Sequence, residues 1–267
     1  WIATNASGMK KNRYGNIEDL VEQVTIVTPA GVVANHQSQP RVSMGIQPER
    51  VIFGSEGTLG LITRAVIRIF PLPEARQFGS IVFPDFDHGI SFLRELARVG
   101  PIPASIRLVD NMQFRFSKAL KPAAGPWKSF TRLVERWVLQ GLGYRPNQVC
   151  AATVLMEGTR AEVKRQQKEI YKVAWRHRGF SGGESNGQRG YALTYAIAYI
   201  RDFLAEYKIV GETMETTVPW NAIHNVINAV NRSALEEHAR YRLPGTPFLS
   251  ARITQLYHSG VCIYVTH

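Results

Sequence analysis

The chain has 267 residues, of which 45% are hydrophobic and 20% are charged, so its composition is that of a globular protein and excludes disorder as its main state. Its 32 Lys and Arg against 21 Asp and Glu give a formal net charge of +11. Such a charge fits either solvated helix faces or contact with phosphate or an anionic membrane surface. The sequence has no nucleic-acid-binding motif, so nucleic acid is not an expected partner. Two cysteines are too few for a disulfide scaffold or a cysteine-rich zinc site, and the histidines lack metal-ligand spacing, so we expect no metal. No apolar run approaches the roughly 18 residues of a membrane span, so we expect no membrane crossing.

The first part of the chain predicts strands joined by a polar loop. Residues 22–34 alternate apolar and polar side chains around Thr28-Pro29-Ala30-Gly31, which predicts a strand, a turn and a second strand. Residues 61–70 predict a further strand, which the following prolines end because proline cannot donate to a ladder. We place a domain boundary there, giving domains 1–72 and 73–267.

The second part alternates strands with amphipathic helices. The predicted strands are 78–83, 104–109, 150–156, 248–255 and 260–265, and the predicted helices are 87–99, 127–140, 160–178 and 191–207. A glycine-rich loop is predicted over 179–190, and Thr217 is expected to cap a helix with Pro219 in its first turn. Strands paired with helices in this way predict an α+β fold.

Both ends of the chain suggest a fragment. It starts at Trp1 within a turn-rich stretch and stops at His267 within an apolar alternation typical of a strand. We therefore expect that both natural termini are missing, and that the net charge and the lack of a targeting segment describe the fragment alone.

The most specific string is Gly54-Ser-Glu-Gly-Thr-Leu-Gly60. Three glycines in seven positions supply unhindered amides and let the backbone approach a ligand closely, so the loop suits a phosphate group or the ribityl chain of a flavin. It is neither a Walker loop nor a Rossmann fingerprint, since its spacing is GxxGxxG and no Lys-Ser/Thr pair follows. The residues alone leave a hairpin corner between two strands as an equal alternative.

This loop and several further strings together resemble the alkylglycerone-phosphate synthase family, within the p-cresol methylhydroxylase and vanillyl-alcohol oxidase superfamily of FAD enzymes. The strings are Ser7-Gly-Met-Lys-Lys-Asn12, Tyr14-Gly-Asn-Ile-Glu-Asp-Leu20, Pro103-Ala-Ser-Ile-Arg-Leu108, Asn186-Gly-Gln-Arg-Gly-Tyr191, Ala198-Tyr-Ile-Arg-Asp202 and Cys262-Ile-Tyr264. The resemblance covers essentially the whole chain. It implies the C-terminal half of a p-cresol-methylhydroxylase-type FAD-binding domain over 1–72 and an α+β cap (substrate) domain, with an antiparallel sheet and helices, over 73–267.

The resemblance also implies an activity. The family makes the ether bond of ether lipids, including plasmalogens: it exchanges the acyl group of acyl-dihydroxyacetone phosphate for a fatty alcohol, through a covalent adduct at flavin N5 and without net redox change. FAD is the implied cofactor and the peroxisome the implied location, while a homodimer and a peripheral membrane contact remain open. Trp127 and Trp137 in helix 127–140 suit lipid contact or, more readily, core packing. The alternatives are an FAD-dependent 2-hydroxy-acid oxidoreductase of the same superfamily and a catalytically incomplete fragment with a binding role.

Two candidate catalytic residues follow from the resemblance. Tyr264 matches the family's catalytic tyrosine, which handles the substrate proton, and a nearby cation must then favour its phenolate; the alternative is a half-buried strand tyrosine. Arg107 matches an arginine important for activity, and strand alternation places it on the face opposite Ile106 and Leu108. An ion pair with Asp110 is the alternative for Arg107.

The remaining implied residues bind substrate or cofactor. Arg201 matches the arginine that binds substrate phosphate, since a planar guanidinium donates two hydrogen bonds to phosphate oxygens; an ion pair with Asp202 or Glu206 is the alternative. Animal members have arginine where this chain has Asn5, so a contact by that side chain is in doubt. The implied FAD-binding residues are Thr4, Asn5, Ala6 and Ser7 in one segment and Glu56, Gly57, Thr58, Leu59, Gly60, Leu61 and Ile62 in another.

Overall fold

The computed structural model describes residues 1–34, 47–119, 141 and 143–267, without the side chains at 48, 49, 196–198 and 201. This part of the chain forms two compact units, Trp1–Pro73 and Glu74–His267. The predicted helix 127–140 lies outside the described residues. Within them, no helix has the length and apolar character needed to cross a membrane.

The first unit is a small antiparallel sheet with short helices. Its elements are α1 (Lys11–Tyr14), α2 (Ile17–Leu20), β1 (Val21–Thr28), β2 (Gly31–Ala34), a 3-10 helix (Pro48–Ile52) and β3 (Leu61–Ile67). The strand order is β2-β1-β3. The predicted strand, turn and strand over 22–34 are confirmed, and the turn at Thr28 is closed by its hydroxyl donating to the carbonyl oxygen of Gly31. The buried core consists of Ile17, Val21, Val24, Ile26 and Ile52.

The second unit is built on a seven-stranded antiparallel sheet. Its elements are β4 (Ala75–Phe83), α3 (Phe86–Val99), β5 (Ser105–Val109), α4 (Asn111–Ala119), β6 (Cys150–Gly158), α5 (Arg160–Arg176), β7 (Phe180–Ser181), α6 (Glu184–Glu206), β8 (Thr213–Pro219), α7 (Ile223–Arg240), β9 (Ser250–Leu256) and β10 (Gly260–Thr266). The strand order is β7-β4-β6-β5-β9-β10-β8. Antiparallel sheets with helices confirm the predicted α+β class.

One face of this sheet holds the apolar core. In β5 the side chains of Ile106 and Leu108 are buried on that face, while Arg107 points to the other, as the alternation predicts. Helix α3 packs closely enough that a Cβ at Gly89 would lie 2.6 Å from Leu108 Cδ1. Helices α5 and α7 contribute Ile170 and Ile223 to the same cluster, so three helices cover this face.

Helix α6 lies on the opposite face, and its start corrects one prediction. The glycine-rich loop predicted over 179–190 is wrong from Glu184 onward, because α6 already begins there and contains Gly187 and Gly190. A Cβ at Gly187 would overlap the backbone of Gly79 in β4, and one at Gly190 would lie 2.5 Å from Thr153 Cγ2 in β6. These two glycines therefore serve close packing of the helix on the sheet.

The predicted cap at Thr217 is also wrong. Thr217 pairs with Cys262 in the ladder between β8 and β10, and helix α7 begins only at Ile223. Strand β8 continues to Pro219 because β8 lies at the edge of the sheet and has a neighbouring strand on one side only. The missing N–H of a proline is tolerated at such an edge.

Asp110 joins β5, β9 and α4 at one point. Its Oδ1 accepts from the backbone N–H of Gln113 in the first turn of α4 at 2.8 Å, and its Oδ2 accepts from the N–H of Ala251 in β9 at 2.6 Å. Burial raises the pKa of this carboxyl against the lowering effect of those two bonds. Asp110 thus secures the short β5–β9 ladder, which pairs only Leu108 with Ile253 and Val109 with Arg252 among the described residues.

The helix-packing glycines give a graded test of the fold. Gly187→Ala is expected to lower the free energy of unfolding by about 3 kcal/mol, because the Gly79 backbone cannot retreat without breaking its ladder, whereas Gly190→Ala costs less because the Thr153 side chain can rotate. Gly211→Ala is the control, since a Cβ there would lie at an ordinary contact distance, 3.8 Å, from the carbonyl oxygen of His267, and it should change stability by at most about 1 kcal/mol. Urea titrations of the three variants check the order, and equal losses at 187 and 211 would contradict it.

Candidate active site

The two segments predicted to bind FAD lie side by side in the first unit. The backbone N–H of Glu56 donates to the carbonyl oxygen of Ala3 at 3.0 Å. A Cβ at Gly54 would lie 3.9 Å from the Cβ of Asn5. The structure therefore brings residues 4–7 together with residues 56–62, although they are about fifty positions apart in sequence.

The glycines of this loop serve two different purposes. Gly57 has φ +84° and no described residue within 4 Å of where a Cβ would be, whereas a Cβ at Gly60 would lie 2.6 Å from the carbonyl oxygen of Val27. Gly60 is therefore required by packing on β1, as the hairpin-corner alternative expects, while the described surface at Gly57 leaves room for a ligand. The hydroxyl of Ser55 is buried and has no hydrogen-bond partner among the described residues. Open backbone beside an unsatisfied buried hydroxyl fits a polar cofactor such as FAD.

The polar face of the second unit's sheet carries a row of functional side chains. In the antiparallel register, Val109 of β5 lies opposite Arg252 of β9, Arg252 opposite Tyr264 of β10, and Tyr264 opposite Glu215 of β8. Residues directly opposite each other in such a ladder share a face. Arg107 joins the row, because it lies two positions before Val109 on the same strand.

Arg252 is a cation that lies against the ring of Tyr264. Its guanidinium carbon lies 4.0 Å from the centre of the Tyr264 ring, a favourable cation–π distance. Burial lowers the pKa of Arg252, and the neighbouring Tyr264 and Glu215 partly offset that effect. Arg252 is not among the residues predicted from the sequence. The alternation Ala251-Arg252-Ile253 in the predicted strand 248–255 indicates an arginine on the polar face, but the residue opposite it is set by the register of β9 on β10.

Arg107 is held by helix α6. Its Nη1 donates to the hydroxyl of Thr194. Burial, followed by the positive charge of Arg252, lowers the pKa of Arg107, so the two cations are near enough to repel each other. The alternative ion pair with Asp110 is not formed, because that carboxylate accepts from the backbone of α4 and β9 instead.

Helix α6 brings two tyrosines to the same face. The ring centres of Tyr191 and Tyr195 are 5.9 Å apart, and Tyr191 also packs on Phe78 of β4 at 5.5 Å. Burial and the hydrogen bond to Tyr195 raise the pKa of Tyr191. Arg201 lies in the same helix, and its side chain is outside the described residues.

Glu215 is the carboxylate at the edge of the row. Its Oε1 accepts from the hydroxyl of Thr254 at 2.9 Å and from the thiol of Cys262 at 3.1 Å. Burial and the adjoining Glu215 carboxylate raise the pKa of Cys262 to about 11, so this thiol stays protonated at neutral pH. In the part of the chain that the structure describes, no group of His, Cys, Asp and Glu side chains is arranged to hold a metal ion.

Comparison with known proteins agrees with these features. Residues 72–267 match the family model of FAD linked oxidases, C-terminal domain. The chain is 41% identical to the alkyldihydroxyacetonephosphate synthase of Caenorhabditis elegans, over 99% of this chain and 45% of that protein, and 29% identical to that of Dictyostelium discoideum, over 99% and 43%. A solved structure of an alkyldihydroxyacetonephosphate synthase superposes with a TM-score of 0.82 at 28% identity, covering all of this chain and 47% of that one. The chain thus spans about half the length of these relatives.

The contact between Cys262 and Glu215 can be tested by alkylation. Glu215→Gln should lower the pKa of the Cys262 thiol below about 11, because a neutral amide removes the repulsion of the thiolate. Since only the thiolate reacts, Cys262 should then react several-fold faster with iodoacetamide at pH 8 than in the wild type.

Mass spectrometry of the two cysteine peptides gives the rates. Cys150, which is fully buried, serves as an internal control, because its labelling reports opening of the fold. An unchanged Cys262 rate with Cys150 still protected would contradict the contact.

Proposed function

The chain belongs to the FAD-linked oxidase family through its C-terminal domain, and we propose that this protein is an alkylglycerone-phosphate synthase. It exchanges the acyl group of acyl-dihydroxyacetone phosphate for a fatty alcohol and so forms the ether bond of ether lipids, without net redox change. The observation that carries the proposal is the similarity over 99% of the chain to synthases of this name. The ordering of Arg107, Arg252 and Tyr264 along one sheet face supports it.

FAD is the cofactor of this proposal. When bound, it supplies an electrophilic centre and electron sink next to the substrate carbon. The residues proposed to hold it are those of the two adjoining loops, residues 4–7 and 56–62. Gly57 would allow close approach of the ligand to the backbone, and Ser55 would gain a hydrogen-bond partner for its buried hydroxyl.

Tyr264 handles the proton next to the substrate carbonyl. A phenol is a weak base at neutral pH, so its use needs a neighbouring positive charge that favours the phenolate. The guanidinium carbon of Arg252 lies 4.0 Å from the centre of the Tyr264 ring, so Arg252 is the neighbouring positive charge in this proposal. Arg201 binds the substrate phosphate in this proposal, and Arg107 adds positive charge to the same sheet face.

Location and assembly complete the proposal. The protein acts in the peroxisome, contacts the membrane peripherally to reach its long-chain substrates, and forms a homodimer. Resemblance to the synthase family supports all three statements. The net charge of +11 further suits contact with an anionic lipid surface.

Substitutions in the FAD-loaded full-length protein test the activity. Tyr264→Phe and Arg201→Lys should each lower the rate of alkyl-dihydroxyacetone-phosphate formation from hexadecanol by at least about 100-fold, because the proton acceptor or the forked phosphate donor is lost. Tyr241→Phe and Arg240→Lys are matched controls on exposed surface, and they should keep the full rate.

Two outcomes would contradict the proposal. If FAD is bound and is reduced by lactate or 2-hydroxyglutarate while no ether product forms, the protein is a 2-hydroxy-acid oxidoreductase. If the two site variants retain the wild-type rate, the assigned residues are wrong.

The cofactor loop has its own test. Gly57→Ala should reduce the FAD content of the purified protein at least several-fold, because a methyl group would occupy the surface assigned to the cofactor. Gly245→Ala is the matched control, since both glycines have positive φ (+84° and +76°) and open space and both variants therefore incur about 1–2 kcal/mol of backbone strain. Equal FAD content in the two variants, measured by absorbance after denaturation, would show that Gly57 does not line the cofactor site.

A further inference from the structure

Arg107 and Arg252 are two cations on one sheet face, and neither forms a salt bridge with a described residue. Val109 pairs with Arg252, and Arg107 lies two residues from Val109, so the arginines are diagonal neighbours across β5 and β9. Such neighbours have Cα atoms roughly 7–8 Å apart, within reach of long side chains. Among the described residues, no carboxylate lies within salt-bridge distance of either guanidinium.

Both guanidiniums keep unused donors. The Nε atoms of Arg107 and Arg252 are buried and have no hydrogen-bond partner among the described residues. Arg107 donates one N–H to the hydroxyl of Thr194, and the guanidinium carbon of Arg252 lies 4.0 Å from the centre of the Tyr264 ring. A guanidinium has five N–H donors in a planar fork, so the two buried Nε donors are available to a ligand.

The nearby carboxylate of Glu215 offsets the positive charge of the pair only in part, because the pKa values of both arginines are still lowered. Glu215 lies opposite Tyr264 at the exposed edge of the row, and its Oε1 already accepts from Thr254 and Cys262. Burying two like charges side by side opposes folding unless a ligand supplies negative charge and acceptors. Burial and the positive charge of Arg252 lower the pKa of Arg107, and Tyr191, Glu215 and Tyr195 offset that lowering only in part.

We infer that Arg107 and Arg252 together form an oxyanion-binding site on the sheet face, whose ligand is a carboxylate or phosphate group held by forked hydrogen bonds next to the Tyr264 ring. The inference rests on the proposed function, whose substrate has both groups: a phosphate, and an acyl ester that departs as a carboxylate. Because Arg201 is the proposed phosphate ligand, the departing carboxylate is the expected occupant of the pair. Each arginine then has a defined task, which is to receive charge as it develops on the leaving oxygens.

Calorimetric titration of the FAD-loaded full-length protein tests the site with two probes, octanoate and inorganic phosphate. Arg107→Gln and Arg252→Gln should each raise the Kd of octanoate at least tenfold and leave that of phosphate within twofold. Arg240→Gln removes an equal charge from an exposed position and should change neither Kd. If the Gln variants raise only the Kd of phosphate, the two arginines still form an oxyanion-binding site, and its occupant is phosphate.

A conservative variant separates binding from folding. Arg252→Lys keeps the charge but loses the fork, so it should weaken octanoate binding by at least about threefold with an unchanged melting temperature. The inference is overturned if folded Arg252→Gln binds both probes with Kd values within twofold of the wild type. If Arg252→Gln does not fold, the same result in Arg252→Lys overturns it.

Ether formation measured on the same samples distinguishes the two proposals. Arginine-dependent oxyanion binding without ether product in the wild type contradicts the proposed function and supports the site. Ether product without arginine-dependent binding contradicts the site alone.

Discussion

The register of the antiparallel ladder from β5 through β9 and β10 to β8 determines which side chains can act together. It sets Arg252 opposite Tyr264 and Tyr264 opposite Glu215, and a slip of one residue would turn each of them toward the apolar core. The short β5–β9 ladder is secured by Asp110, whose carboxylate bonds the backbone of β9 beside the last paired residues. Site geometry therefore depends on backbone pairing rather than on local loop structure.

The two faces of that sheet have different roles. Buried aliphatic side chains and three helices on one face fix the sheet, while the other face can keep arginines and tyrosines in a partly dehydrated setting. Helix α6 approaches that second face closely because Gly187 and Gly190 lack side chains, and the approach lets Thr194 reach Arg107. Low local polarity strengthens the electrostatic effect of Arg252 on its neighbours.

Sequence reasoning predicted the features that depend on local pattern and missed those that depend on packing. Alternation placed Arg107 on the face opposite Leu108, and the strands on either side of Thr28 were found from their turn. The helix start at Glu184 was missed because glycines usually break helices, whereas here close packing on the sheet favours them. Arg252 was missed because its pairing with Tyr264 depends on register between strands, which composition and spacing do not encode.

We propose that the polar sheet face of this chain serves exchange of an acyl group for an alcohol. Incubation of the FAD-loaded full-length protein with acyl-dihydroxyacetone phosphate and ¹⁸O-labelled hexadecanol tests this exchange. The ether product is expected to retain the ¹⁸O, with one unlabelled fatty acid released per ether formed. Unlabelled ether oxygen, or fatty acid released without ether, would contradict it.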